Sequence, residues 1–266
     1  MTEIVVGGIR GRMGQALVHL AASHGLRVIA GLGRVAARGS DAEAYGCPRI
    51  VALSDAGAVA DTLAAADVVL DFSNAAFTAE LLARGAVALD GRALIVGTTG
   101  LEAEATRRLD DLSRSAAVLT AANFSIGVNL LVALAGRAAA VLDGGRFDVE
   151  IVEHHHGRKV DAPSGTALAL GGAVADGRGQ ALGDVRRDGR SGQTGPRPQD
   201  EIGFHAVRGG GVVGEHRVLF IGEHERVVLG HDALHRAVFA DGALAAARWL
   251  AGRGPGRYGM MEVLGL

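Results

Sequence analysis

Short apolar runs alternate with stretches of helical periodicity through the first half of the chain. Residues 4–6 predict a strand, and residues 11–24 a helix with Met13, Leu17, Leu20 and Ala21 on one face. A second strand is predicted over 27–32. Residues 68–72 form a continuous apolar run ending in Asp71-Phe72, followed by a helical stretch through Arg84. Strands at 93–96 and 117–121 flank a helix over 101–115. Strands that are apolar throughout and separated by helices predict a parallel sheet covered on both faces. This is a Rossmann-type, doubly wound α/β domain.

Beyond Ile126 the pattern changes. Residues 127–142 predict one helix, 147–153 alternate as a strand does, and 166–175 are helical. Residues 186–200 are polar and rich in Gly, Pro and Arg, and read as a mobile loop. Strands at 202–207, 212–220 and 225–230 follow with short connections, then a last helix at 243–250. Such a run predicts a second, α+β domain built on a mixed or antiparallel sheet.

The composition allows a sizeable core, with 48% hydrophobic and 21% charged residues among 266. A net charge of -2 gives no general pull toward nucleic acid or an anionic membrane. The single cysteine, Cys47, cannot form an internal disulfide, which points to the cytoplasm. No secretory leader and no membrane-spanning run are expected. Lys159 is the only lysine among 27 Lys and Arg residues.

Gly8-Ile9-Arg10-Gly11-Arg12-Met13-Gly14 follows a predicted strand and opens a helix. Glycines at this spacing permit a tight turn and let backbone approach a pyrophosphate at the helix N-terminus. NAD sites usually carry a ribose-reading acid about 20 residues further on. Here the second strand ends in Gly33-Arg34, and Arg34 is placed to meet a 2′-phosphate. NADPH is therefore expected to be preferred over NADH. Gly97-Thr98-Thr99-Gly100 and Ala121-Ala122-Asn123-Phe124 follow later strands, at ends where ligands bind in open α/β sheets.

The densest chemistry is Glu153-His154-His155-His156-Gly157-Arg158-Lys159-Val160-Asp161-Ala162-Pro163-Ser164-Gly165-Thr166-Ala167. On a strand His154 and His156 share a face and His155 points opposite. No ligand set follows at metal spacing, so no metal is expected. A polar surface run is one reading. Another is general acid chemistry, a histidine beside a cation that holds an anionic substrate. Ser164 is a plausible helix N-cap, which would turn the amides of Gly165 and Thr166 toward a carboxylate.

This segment resembles the signature of the dihydrodipicolinate reductase family. The resemblance extends in order through residues 8–14, Asp71-Phe72-Ser73, 97–100, 121–125, Val213-Gly214-Glu215-His216 and the closing Met261-Glu262-Val263-Leu264. It implies NAD(P)H-dependent reduction of a cyclic dicarboxylate imine to tetrahydrodipicolinate, in lysine and diaminopimelate synthesis. It implies His155 as proton donor, Lys159 as catalytic cation, His156 as substrate contact, and Gly165 and Thr166 as carboxylate-binding amides. The cofactor contacts it implies are Gly8, Ile9, Arg10, Gly11, Arg12 and Met13, then Gly97, Thr98 and Thr99, and Ala121, Ala122, Asn123 and Phe124. Two departures stand out: Gly33 replaces the family's usual acid, and His154 replaces a small or apolar residue. The implied domains are 1–125 for the dinucleotide, with 236–266 returning to it, and 126–235 for substrate and for assembly of a homotetramer. Hinge closure is expected to bring cofactor and substrate together. Another two-domain dehydrogenase would explain the glycine loop without the histidine segment. A non-catalytic nucleotide sensor would need no proton donor.

Overall fold

The computed structural model describes residues Met1–Leu266. The first stretch runs β1 (Thr2–Gly7), α1 (Arg12–Ala21), β2 (Leu26–Gly33), β3 (Ala37–Arg38), α2 (Ser40–Glu43), β4 (Arg49–Ala52), α3 (Ala56–Ala64), β5 (Val68–Asp71), α4 (Ala75–Gly85), β6 (Ala93–Val96), α5 (Ala103–Leu112) and β7 (Ala117–Thr120). There follow α6 (Ile126–Val141), β8 (Asp148–His155), α7 (Gly165–Gly177), α8 (Leu182–Val185), β9 (Arg186–Asp188), β10 (Ile202–Arg208), β11 (Gly214–Ile221), β12 (Arg226–Ala233), α9 (Ala237–Leu250), β13 (Gly256–Tyr258) and α10 (Met260–Leu264). Two compact units result: 1–125 with 237–266, and 126–236.

The first unit holds an eight-stranded sheet in the order β13-β7-β6-β5-β1-β2-β4-β3, parallel except for the β3–β4 pair. Alternation along β1 feeds both faces. Ile4 and Val6 join the layer that contains α1 and α9, while Val5 joins the layer of α3, α4 and α5. Asp55 and Asn74 cap α3 and α4 by accepting from the amides of Ala58 and Phe77, at 3.0 and 3.1 Å. α9 lies on α1 in the first of these layers, so the C-terminal segment completes this unit. β3, α2 and β4 escape the periodicity reading because they are only two to four residues long.

The second unit holds a mixed five-stranded sheet, β12-β11-β8-β10-β9. β11 is antiparallel to β8 and β12, whereas β10 is parallel to β8 and β9. α6 and α7 cover one face over Val149, Ile151, Phe204, Val218 and Phe220. The other face carries a cluster of charged side chains around Glu150, which corrects one expectation. Residues 186–200 are not a free loop. They begin as β9, and their arginines are tied to the sheet. Arg190 bonds Glu150 and Glu201, each at 3.0 Å, and Arg197 bonds Glu150 at 2.9 Å and Asp148 at 2.6 Å. Burial alone would raise the Glu150 carboxyl, but donors on Arg190, Arg197 and His205 outweigh it and hold it down to about 2. Counting polar residues misses this anchoring, because the partners are about 40–50 positions away along the chain.

Candidate active site

Strand order reverses direction at β1, which lies between β2 and β5. In open α/β sheets the crevice outside the strand ends at such a point binds ligands. A cleft of about 530 Å³ opens there, lined by residues 8–11, 32–35, 72–74 and Phe77. Gly8 has a φ of +70°, and a Cβ on it would lie 2.9 Å from the Cα of Ser73. A Cβ on Gly14 would lie 2.4 Å from the Gly8 carbonyl. Loop and helix therefore pack at a distance that only glycine allows. Gly11 caps α1 with no side chain, and the first turn has no acid, so the amides at Arg12 and Met13 meet nothing that competes with an anion. The Ile9 side chain is fully buried against Gly31, which leaves only its backbone for a ligand. Arg34 is exposed at the cleft. Arg10 donates to the Val35 carbonyl at 2.7 Å and lies over the Tyr45 ring, 5.3 Å from its centroid.

The other cofactor candidates follow β6 and β7. The Phe72 ring occupies the space a side chain on Gly97 would need, and it tilts against Phe124 at 5.0 Å between centroids. The Thr98 hydroxyl is buried with no partner, as a group waiting for a ligand would be. Thr99 and Ala122 are exposed, Ala121 is half-buried, and Asn123 accepts from the Ser125 amide at 2.8 Å. Asp71, fully buried behind this wall, accepts from Ser73 and Thr78. These residues fit a dinucleotide: a loop with glycines at its closest backbone approaches, a helix start without a side-chain cap, and an unsatisfied hydroxyl.

In the second unit the helix-facing rows of three strands turn polar at one end. Along β8 the row runs Val149, Ile151, Glu153, His155, and along β11 it runs Phe220, Val218, His216. Glu153 pairs in register with His216, and His155 with Arg208 on β10. Glu153 is 1% exposed. It accepts from His155 Nδ1, from both terminal nitrogens of Arg208 at 2.7 and 2.6 Å, and from the Ser164 amide at 3.0 Å. Burial opposes its charge, but these donors keep its carboxyl below the usual range. Burial pushes the His155 imidazole down, and the Glu153 carboxylate partly restores it. His216, 5.2 Å from the His155 ring, is driven by burial to about 4 and is neutral at pH 7.

Ser164 caps α7, its hydroxyl accepting from the Ala167 amide at 3.2 Å. Nothing lies within 4 Å of a Cβ added at Gly165, so no other group crowds that residue at the start of α7. His156 Nδ1 is buried without a partner, and Lys159 Nζ pairs with Asp161 at 2.9 Å. His154 points to the opposite face and pairs with Glu215 at 3.3 Å. The structure thus brings His155, Glu153 and the start of α7 together and separates His154 from them. Sequence reasoning passed over Glu153, Arg208 and His216 as functional groups. Its available signal was a charged residue in the inward row, two positions before His155.

Residues 2–124 match the family description "Dihydrodipicolinate reductase, N-terminus", and 127–264 match "Dihydrodipicolinate reductase, C-terminus". The chain belongs to the dihydrodipicolinate reductase family. Curated relatives named 4-hydroxy-tetrahydrodipicolinate reductase include those of Parvibaculum lavamentivorans and Ruegeria pomeroyi. Each is 46% identical over 99% of this chain and 98% of the relative. A dipicolinate-bound dihydrodipicolinate reductase from Paenisporosarcina sp. TG-14 shares the fold, with a TM-score of 0.71, 24% identity and 98% of each chain covered. The family's activity is therefore this chain's: an NAD(P)H-dependent reduction in lysine biosynthesis. No helix is long and apolar enough to cross a membrane.

Proposed function

We propose that this chain reduces 4-hydroxy-tetrahydrodipicolinate with His155 as proton donor and Lys159 as substrate cation. The observation that carries the reading is Glu153, whose one carboxylate holds both His155 and Ser164, the cap of α7. Acid and anion cradle are thereby fixed to each other. The nicotinamide cofactor supplies the hydride. Substrate carboxylates meet Lys159, His156 and the amides of Gly165 and Thr166, where the helix start favours negative charge. As negative charge develops on the ring, the imidazolium of His155 delivers the balancing proton from Nε2, and water is lost. His155 Nδ1 stays on Glu153 throughout.

Residues Gly8, Ile9, Arg10, Gly11, Arg12 and Met13 hold the pyrophosphate and ribose side in this reading, with Gly33 and Arg34 beside the 2′ position. Gly97, Thr98, Thr99 and residues 121–124 hold the nicotinamide side. NADPH is preferred, and NADH is also used. The test is cofactor oxidation with and without the cyclic imine, made in situ from pyruvate and aspartate semialdehyde by its synthase. Oxidation that requires the imine is expected. Oxidation without it, or binding without turnover, overturns the reading.

The second unit also serves as the assembly surface of a homotetramer. Val207, Val228 and Ile221 stand 36–47% exposed on the sheet face opposite the helices, which a second copy would cover. Sedimentation analysis expects a tetramer, and a monomer would sink the idea. The compartment is the cytoplasm, where Cys47, buried and unpaired, stays reduced.

A further inference from the structure

We infer that Glu153 and Arg208 are a positioning pair for His155: Glu153 decides which ring nitrogen faces the substrate, and Arg208 locks Glu153. The inference rests on the reading of His155 as proton donor.

Glu153 occupies a place that the pattern of β8 assigns to an apolar side chain, in line with Val149 and Ile151. A carboxylate there carries a desolvation cost that an apolar residue would not. It is retained with every lone pair engaged by the donors described above. Nδ1–H of His155 donates to it, so the ring can turn only Nε2 outward. Gly214 guards that nitrogen. A Cβ at this position would lie 3.0 Å from Nε2, so glycine keeps the outward side clear. Arg208 reaches Glu153 with a two-pronged contact and donates to the Asp161 carbonyl at 2.8 Å. A lysine could not reproduce that fork. Arg208 Nε is buried without a partner, so the guanidinium is committed to this direction at a cost.

The charged and titratable groups around His155 are Glu153 on β8, Arg208 on β10, His216 on β11, and Lys159 and Asp161 in the loop after β8. Of these, Glu153 alone touches the ring through a hydrogen bond. Lys159 and Arg208 oppose a charge on His155, and the Glu153 carboxylate supports it. Replacing that carboxylate by an amide removes the support and turns an N–H toward Nδ1 or forces the amide to flip.

The experiment uses the full chain with Glu153→Gln. Because that leaves Arg208 uncompensated, Glu153→Gln with Arg208→Met is made as well. Three quantities are read: kcat, the pH profile of kcat/KM, and the ¹⁵N signals of the His155 ring. The expected wild-type ring, when neutral, carries its proton on Nδ1. In both variants kcat should fall roughly 10- to 100-fold, part of the roughly 10²–10⁴-fold a placed acid supplies. The alkaline limb should move to lower pH, and the neutral ring should shift toward the Nε2–H form. Variants that lose only thermal stability, with tautomer and pH profile unchanged, overturn the inference and leave Glu153 a structural residue. If Glu153→Gln does not fold, the double variant decides. A His155→Ala enzyme with normal kcat would instead refute the proton-donor reading, while the ring signals still judge what Glu153 does.

Discussion

An added Cβ on Gly33 would lie 2.9 Å from Nη1 of Arg10. The position that in NAD sites holds a ribose-reading acid is thus filled from below by a guanidinium that is itself anchored to Val35 and Tyr45. With no acid to repel it, a 2′-phosphate would enter a site flanked by Arg10 and Arg34. A charge-assisted hydrogen bond is worth roughly 1.5–3 kcal/mol, or about 10- to 100-fold in affinity. Arg34→Ala should therefore raise the KM for NADPH by roughly that factor and leave NADH nearly unchanged. Gly33→Asp should favour NADH, with the Arg10 guanidinium having to leave its Val35 carbonyl contact to make room. Its carboxylate would both repel the phosphate and neutralise Arg10. Equal KM values for the two cofactors, insensitive to Arg34→Ala, would count against this account.

The two strand faces separate the adjacent histidines. His155→Ala should lower kcat by roughly 10²–10⁴-fold, the range for a placed general acid. Lys159→Ala should lower kcat/KM by removing the ammonium that meets a carboxylate. His154→Ala should do little, since His154 pairs with Glu215 on the other face. Cofactor affinity, measured by fluorescence titration, should not change in any of the three. In the proposed mechanism the imidazolium is the donor, and burial holds the His155 pKa below the ordinary histidine value of 6.5. In the wild type, kcat/KM should therefore fall as pH rises through that lowered value. A large loss in His154→Ala, with His155→Ala active, would reverse the assignment.

Most of the parallel sheet could be read from the sequence because its strands are buried on both faces and so are apolar end to end, as in residues 68–71 and 93–96. The glycine loop was legible for a related reason, since close backbone packing at Gly8 and Gly14 excludes every side chain. What escaped depends on pairing across strands. Nothing local to Arg208 says that it will sit beside His155. That follows from β10 lying parallel to β8 in one particular register. Arg190 and Arg197 looked like solvated loop residues for the same reason, as their acid, Glu150, lies on β8. His154 illustrates the limit in miniature. Strand alternation placed it opposite His155, but its partner Glu215 comes from β11.

Acid stability should be governed by a neutral histidine as much as by carboxylates. His216 is buried and titrates near 4 in the folded protein, against 6.5 for an unhindered histidine. The unfolded chain therefore binds a proton that the folded one refuses throughout that interval, and stability falls as pH drops from about 6.5 to about 4. The contribution is at most roughly 3 kcal/mol, taken from the difference between the two values. His155 and His231, also lowered by burial, steepen the same slope. Glu150 acts in a lower window. Its folded value is about 2, so its stabilisation is whole above the ordinary carboxyl value of 4.5 and vanishes only as pH falls through about 2. Urea unfolding across the upper window should show a slope reduced by about one proton in His216→Gln relative to wild type. Glu150→Gln should leave that slope intact above the ordinary carboxyl value of 4.5, lowering stability by the same amount throughout that part of the window. Should His216→Gln retain the full slope, the protons taken up in that range belong to other groups, and His216 is not the one that limits the fold in acid.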